Sequence, residues 1–445
     1  MIIRIKTSNP NLLDILGKNP ESFNGIQLRT HKNGVAIGRV ISPNEYHVVF
    51  QDVGRHSYDN DSTNQIDFQS YANPRAALGL IGQMLRDMIS ERQTWEAKEV
   101  SWRDNQTRGE LDACGYQTTI TVDHVYIDGI NMDRGFVLEK YFPEIKTEMI
   151  GSHSARLTVS GDCGIFRLVN IASLALLYLA ATNKQPWYIN EDMAGKYLRV
   201  MENIGDVPYF VMYLFARVAF RTEKIFNKFI PRMEALFKRS TGLDLKMTYG
   251  NTQMQRVSHI TGMMIQDEKI RTNVVEIGCG EGEYPRKLCR YLDNDLEWWA
   301  VDVDDYSYLN HKVPNYMKND AEFMFVQDQS LIPVLDNTTV LVVEVMEHMP
   351  IGDATDLLVS ALAKYEPDRM IITTPNRTFN KWYQFDMLDR KFRHDDHDFE
   401  MTTEEFQDYI TAMIAGVNYT ANFFGIGDSI DGEYMSIGVE LIKNE

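Results

Sequence analysis

The sequence predicts an α/β protein in which a doubly wound domain over residues 241–445 follows a mixed α/β domain over residues 1–240. Three observations predict it. Beyond Ser240, short apolar runs alternate regularly with amphipathic helical segments. The first of those runs leads straight into the glycine-rich VVEIGCGEGE. Before Ser240, strand-like and helix-like segments mix without that alternation.

In the first half, the polar loop GRHSYDNDSTNQ from Gly54 reads as exposed. Asn73-Pro74 reads as a helix start, because asparagine caps free N–H groups and proline suits the first turn. Ala77, Leu78, Ile81, Met84, Leu85 and Met88 then follow helical spacing. YQTTITVDHVYI from Tyr116 and SARLTVSG from Ser154 alternate as strands do. Asp192 to Lys238 reads as mostly helical, opened by Met193, Tyr197, Leu198, Val200 and Met201. A change falls in STGLDLKMT, Ser240 to Thr248, after which Asn251 can cap a short helix leading to the strand Val274–Ile277. The succession YPRKLCRYL, EWWAVD, FMFVQD, TVLVVEV, ATDLLVSALAKY and RMIITTP follows. Strands joined by helices imply a largely parallel sheet covered on both faces. Thr402 and Glu405 form a candidate capping box for TTEEFQDYITAMI, and YTANFFGI and MSIGVELI are the last strands.

A chain of 445 residues with 44% hydrophobic and 11% aromatic content has core for two or three domains, which excludes disorder. A net charge of −18 argues against sequence-independent coating of nucleic acid. It leaves room for an enzyme that grips only a strand terminus. Cys114, Cys163, Cys279 and Cys289 make no CxxC pair, so no disulfide framework or zinc knuckle is read, and a reducing cytoplasm is expected. MIIRIKTSNP carries no signal-peptide pattern. IASLALLYLAA from Ile171 and YFVMYLFARVAF from Tyr209 fall short of the roughly 20 apolar residues of a membrane span. Both are expected as buried helices, and no membrane partner is expected.

Gly278, Gly280 and Gly282 stand between a strand and a helix, where the backbone turns sharply and must approach a ligand without a Cβ in the way. Asp302 closes the next strand, where a carboxylate can accept hydrogen bonds from two ribose hydroxyls. A tight turn without a ligand would explain the glycines alone. It would not explain the acidic partner, so a nucleoside cofactor is expected.

Two acidic–histidine clusters lie downstream. LVVEVMEHM offers Glu344, Glu347 and His348, and FRHDDHDFE offers His397 with His394, Asp395 and Asp396 around it. Two carboxylates and two imidazoles suit a divalent metal with positions left for substrate. They favour manganese, iron or cobalt over magnesium, which prefers oxygen ligands, and manganese is the expected ion. Asp396, beside His397, is the expected carboxylate partner for that imidazole's other nitrogen.

The run E-I-G-C-G-E-G resembles motif I of the class I methyltransferases, which bind S-adenosylmethionine (SAM). That resemblance implies that Glu276 and Gly278 to Gly282 line the methionine end, that Asp302 holds the ribose, and that Asp328 in FVQDQS contacts the adenine. Over roughly Asn251 to Phe424 the chain resembles the HEN-type (Hua-enhancer-type) methyltransferases, which act on the 2′-hydroxyl of the 3′-terminal nucleotide of RNA. VVEIGCGEGEYPRKL, VLVVEVMEHMP, and IITTPNRTFN with FRHDDHDFEMTTEEF carry the match. The last pair is similar to that family's TTPN-x-E-Y-N and RH-x-DH-x-FEWT strings. The resemblance implies Glu344, Glu347, His348 and His397 as metal ligands. Thr378, Phe379 and Met401 depart from the family's usual glutamate, tyrosine and tryptophan. The first half, from NPNLLDILGKNPE through SARLTVSGDCGIFRLVNIASLALLYLAATNKQPWYINEDMAGKYLR, resembles the module that bacterial members place ahead of the methyltransferase. Those members work with a kinase-phosphatase-ligase in RNA repair, which implies such a partner here.

A ribose 2′-hydroxyl is a poor nucleophile near neutrality, and a metal on that oxygen lowers its pKa and fixes its position. Adjacent positions on one ion would accept adjacent hydroxyls, selecting an RNA end with a free 2′,3′-diol. Arg377, Lys381, Arg390, Lys391 and Arg393 are expected to contact the last phosphates. Two rivals stand beside this reading: an O-methyltransferase of a small metabolite, and a non-catalytic subunit that activates a repair ligase.

Overall fold

The computed structural model describes residues 2–19, 24–31, 34–52, 72–127, 137–183, 187–317, 320–383 and 390–444; the loop read from Gly54 lies outside them. The chain divides into two units, Met1–Gly242 and Leu243–Glu445.

In the first unit, side chains alternating between core and solvent set the strands. Strand β1 (Ile2–Thr7) buries Ile3 and Ile5 fully and leaves Ile2 and Lys6 exposed. It is joined by β2 (Ile26–His31), β3 (Gly34–Ser42) and β4 (Glu45–Asp52). After α1 (Pro74–Met84) come β5 (Thr118–Tyr126), β6 (Ile145–Gly151) and β7 (Ser154–Gly161). All neighbours pair antiparallel, in the order β2-β3-β4-β1-β5-β7-β6. Helix α1 begins as the sequence predicts: Pro74 opens it and Asn73 accepts the N–H of Arg75. It ends at Met84, and a 3-10 turn over Arg86–Ile89 keeps Met88 buried.

The helices α2 (Ile165–Thr182), α3 (Glu191–Ile204), α4 (Tyr209–Ala219) and α5 (Glu223–Thr241) complete the unit. Helix α2 is apolar on every side because it packs against β5, β6 and β7 beneath and α1, α3 and α4 around it. Among the described residues it is the one helix whose length and composition would suit a membrane, and 83% of it is buried within the unit, as a core helix is. Asp112 accepts the N–H groups of Ile165 and Phe166 at 2.7 and 2.9 Å, satisfying donors at the helix start.

In the second unit, β8 (Leu245–Lys246) and α6 (Thr252–Met264) precede β9 (Asn273–Ile277), and Asn251 caps α6 through the N–H of Met254. Then follow α7 (Glu283–Leu288), β10 (Glu297–Val301), β11 (Glu322–Val326), β12 (Thr338–Val343), α8 (Ile351–Tyr365) and β13 (Arg369–Pro375). Helix α9 (Thr403–Met413) starts with the Thr402–Glu405 capping box, and β14 (Tyr419–Ile430) and β15 (Glu433–Lys443) close the unit. The eight strands run β11-β10-β9-β12-β13-β15-β14-β8, with β9 to β13 parallel and the rest antiparallel.

Two cores result, one per sheet face. Val275, Ile277, Val340 and Val342 pack with Leu358 of α8 and Phe406 and Ile410 of α9. Val274, Trp298 and Leu341 pack with Ile260 of α6 and Leu288 of α7 on the other face. The chain builds outward from β9 through β10 to β11, then returns to the opposite side at β12. That reversal opens a crevice at the carboxyl ends of β9 and β12, where open α/β sheets bind ligands.

Candidate active site

The glycine loop crosses that crevice. Gly278, Gly280 and Gly282 all have positive φ, at 73°, 50° and 70°. A Cβ on Gly278 would lie 2.3 Å from Cγ2 of Val345, and one on Gly282 would lie 2.8 Å from Cδ2 of Leu309. A Cβ on Gly280 would meet nothing within 4 Å. Two glycines therefore let the loop pack, and the third leaves clear space above the sheet edge. Asp302 accepts the Gly280 N–H at 2.8 Å and the Asp304 N–H at 3.1 Å, so it braces the loop while keeping further lone pairs available. Next to it in sequence, Val303 is 90% exposed, an apolar side chain that sequence reasoning passed over.

Glu276, expected at the methionine end of the cofactor, stands near the end of β9. It is 3% exposed, lies beneath the loop, and accepts the indole N–H of Trp298 at 3.0 Å. Burial pushes its carboxyl up to about 8, against the lowering effect of Trp298. Asp328 is exposed at the end of β11 and caps a 3-10 turn by accepting the Ser330 N–H at 2.7 Å, which holds its carboxyl below the usual range.

The two acidic–histidine clusters meet at the ends of β12 and β13. One ligand atom each from Glu347, His348 and His397 lie within 4.8 Å of one another. The N–H of Asp398 donates to the carbonyl of Glu347 at 2.8 Å, tying the second loop to the first. Glu347 is fully buried, and its Oε2 accepts from Thr374 Oγ1 at 3.2 Å. Its Oε1 is buried without a hydrogen-bond partner. Burial, followed by the charge of Glu344, pushes this carboxyl well above its usual range. A buried carboxyl with an orphaned oxygen, in a cluster with two imidazoles, fits a divalent cation.

His397 is buried, and its Nδ1 lies 2.7 Å from Oε1 of Glu400. Glu400 is the correction to the expected Asp396 partner. Asp396 instead lies 3.1 Å from Nδ1 of His348. Burial alone would raise the Glu400 carboxyl, but hydrogen bonds from His397, the Arg393 N–H and Asn380 outweigh it and hold the group ionised. Nδ1 is therefore the donor of that bond, which leaves Nε2 as the nitrogen turned away from Glu400.

Glu344 stands outside the three-residue cluster. Its Oε1 accepts from Thr373 Oγ1 at 3.0 Å, and its Oε2 lies 2.5 Å from Nη1 of Arg256 on α6. Its φ of 54° is unusual for a side-chain-bearing residue, costs about 1–2 kcal/mol, and re-aims the chain at the strand end. Thr373 and Thr374, which steady the two carboxylates, were missed as site residues; their signal was the polar TT closing an otherwise apolar strand.

The expected phosphate-binding cations divide. Arg393 is buried and donates to Asn380 and to the carbonyls of Asn376 and Met435. Arg377 pairs with Glu405, and Arg390 with Asp395. Lys381 and Lys391 lie over the rings of Trp382 and Phe392. Of the family departures, Phe379 and Met401 are buried core residues, so they alter packing.

The profile described as the Hen1 N-terminal domain matches residues 2–238, more than half of the chain. The chain belongs to the Hen1 family. It is similar over its full length to a chain in the structure of the Pnkp1/Rnl/Hen1 RNA repair complex, with 33% identity, 100% coverage of both chains and a TM-score of 0.84. A second Pnkp1/Rnl/Hen1 complex gives 32% identity and a TM-score of 0.82 at the same coverage. The small RNA 2′-O-methyltransferase of Caenorhabditis elegans is 26% identical over 185 residues, 36% of this chain and 41% of that protein. That of Drosophila melanogaster is 27% identical over 180 residues, 37% of this chain and 46% of that protein. The match thus spans less than half the length of these curated relatives. Hen1 membership and the strand order agree on the architecture: a class I SAM-dependent methyltransferase domain behind a Hen1 N-terminal domain.

Proposed function

We propose that this Hen1 protein transfers a methyl group from SAM to the 2′-hydroxyl of the 3′-terminal nucleotide of RNA, using a divalent metal. The observation that carries the reading is the convergence within 4.8 Å of ligand atoms from Glu347, His348 and His397, with one oxygen of buried Glu347 left unpartnered. Support for an RNA substrate comes from the curated relatives named small RNA 2′-O-methyltransferases. Support for a repair kinase and ligase as partners comes from the full-length likeness to a chain of the Pnkp1/Rnl/Hen1 complex. Cys114, Cys163, Cys279 and Cys289 are all free thiols, which fits a cytoplasmic setting.

Methyl transfer from a sulfonium is an in-line displacement, and its nucleophile must be at least partly an alkoxide. Asp302 would accept the cofactor's ribose hydroxyls, and the space above Gly280 would take the cofactor close to the backbone. Val303 offers an apolar face for the base, with Asp328 nearby at the end of β11. Glu347, His348 and His397 would hold the ion, with Glu344 beside them and manganese favoured over magnesium by the imidazoles. A bound divalent ion supplies the Lewis acidity that makes a ribose hydroxyl nucleophilic near neutrality. Thr374 and Glu400 keep the Glu347 carboxyl and the His397 ring in fixed orientations, so these two groups need little reorganisation on binding.

Incubation with methyl-labelled SAM and an RNA ending in a 2′,3′-diol, with and without chelator, tests the reading. Label should enter the terminal ribose only without chelator. Label transfer that chelator leaves untouched would sink the metal role, and label confined to small phenols would favour a metabolite enzyme.

A further inference from the structure

Arg256 and Glu344 come from distant parts of the chain, and their contact is the least expected at this site. The guanidinium lies 2.5 Å from the carboxylate, with the two side chains only 18% and 16% exposed. The other carboxylate oxygen is taken by Thr373. Meanwhile Glu347, His348 and His397 converge without Glu344. The Glu344 backbone is pinned, since its N–H donates to the carbonyl of Thr373 at 3.0 Å. Only its side-chain torsions remain to move.

Two carboxylates share a poorly hydrated recess, and like charges there repel strongly. One guanidinium supplies positive charge before any metal arrives. A dication in the cluster reverses that logic, because Arg256 then becomes a like charge beside it. We propose that Arg256 is a resident counter-ion displaced by the metal: Glu344 pairs with Arg256 in the cation-free protein and swings to the Glu347–His348–His397 cluster in the loaded one. Arg256 is thus a positioning residue that sets ion affinity from outside the ligand set. The exchange rests on the metal-dependent reading above.

Calorimetric titration of the full chain with Mn2+ tests it in R256Q, R256K, E344Q and R256Q/E344Q. Removing a unit charge a few ångströms from the ion should tighten Mn2+ binding about tenfold in R256Q. R256K keeps the charge on a shorter, differently shaped side chain that holds the carboxylate less firmly, so its affinity should fall between that of R256Q and the unsubstituted chain. In the E344Q background, R256Q should add much less, since the exchange needs Glu344. Thermal melts give a readout independent of turnover: R256Q should melt lower without Mn2+ and gain more from adding it. Weaker or unchanged Mn2+ binding in R256Q, R256K weaker than the unsubstituted chain, or an equal gain with and without Glu344, overturns the exchange alone. No Mn2+ uptake by the unsubstituted chain overturns the metal reading and the exchange with it.

Discussion

Glu400 accepts a hydrogen bond from Nδ1 of His397 at 2.7 Å, three residues along the same loop, and so decides which face of the imidazole is left to bind an ion. Replacing Glu400 with alanine removes the orienting acceptor and also strands Asn380 and the Arg393 N–H, both of which donate to it. Loss of such a partner typically weakens metal affinity 10- to 100-fold. We expect E400A to show that loss in Mn2+ titrations. A melting temperature several degrees lower is also expected, because a buried network is broken. Unchanged Mn2+ affinity would remove Glu400 from the site.

That partnership also marks where the sequence stopped being readable. Local strings were legible: the three glycines, the strand-closing Asp302, and the Glu347–His348 step all lie within single turns or strand ends. Both Asp396 and Glu400 are near His397 in sequence, and the fold of the loop alone decides that Asp396 goes to His348. The Arg256–Glu344 pair depends on α6 passing over the end of β12, a tertiary event with no local trace. Which of the basic residues around the second cluster would be buried was not legible for the same reason: Arg393 donates to carbonyls whose positions only the folded sheet sets. The alternation of strands and helices made the doubly wound architecture legible. The order of the antiparallel strands in the first unit was not, because pairing of non-neighbours such as β1 with β5 is decided by side-chain packing.

Asp302→Ala should weaken SAM binding. The carboxylate braces Gly280 and Asp304, and the proposed ribose contacts add to that. Hydrogen bonds to a charged group contribute roughly 1.5–3 kcal/mol, so the dissociation constant should rise at least tenfold. Calorimetry with SAM measures it directly, and a dissociation constant equal to that of the unsubstituted chain would take Asp302 out of the cofactor site.

The loop glycines should separate folding from binding. Gly278→Ala places a methyl group 2.3 Å from Val345 at a φ of 73°, so it should destabilise the protein by roughly 2–4 kcal/mol. Gly280→Ala meets no protein atom within 4 Å and should cost only about 1 kcal/mol of backbone strain. Its methyl group would instead crowd the proposed cofactor. G280A should therefore melt near the unsubstituted protein and bind SAM poorly; G280A with full SAM affinity would show that the cofactor does not approach this backbone.

Glu276 should make stability depend on pH. Its folded carboxyl is raised to about 8 from an unfolded value of 4.5, so the folded state holds a proton that the unfolded state has lost. The stability advantage of that proton is full below about 4.5, shrinks steadily as pH rises between the two values, and is gone above about 8. Each pKa unit corresponds to about 1.4 kcal/mol, so the effect is on the order of a few kcal/mol. Glutamine in its place keeps an acceptor for Trp298 and has nothing to ionise. Melting curves from pH 5 to 9 should fall less steeply for E276Q than for the unsubstituted chain, and parallel curves would refute the raised carboxyl.

Substrate termini test the chemistry of the site most directly. The recess holds Glu344 and Glu347, with Asp396 at its edge beside the solvent-facing His348. A terminal 3′-phosphate would bring roughly one and a half to two negative charges against these carboxylates, and its bulk would crowd the 2′-oxygen. A 3′-deoxy end carries no such penalty but lacks an oxygen that a diol presents. We expect the 2′,3′-diol RNA to be methylated fastest, the 3′-deoxy RNA slowly and the 3′-phosphate RNA slowest, in single-turnover assays with Mn2+. Raising the salt concentration should relieve part of the phosphate penalty if it is electrostatic, whereas a steric block would not respond. Equal rates on diol and 3′-phosphate ends would mean that the acidic recess does not receive the terminal ribose, and a free catechol outpacing every RNA would move the assignment to a small-molecule methyltransferase.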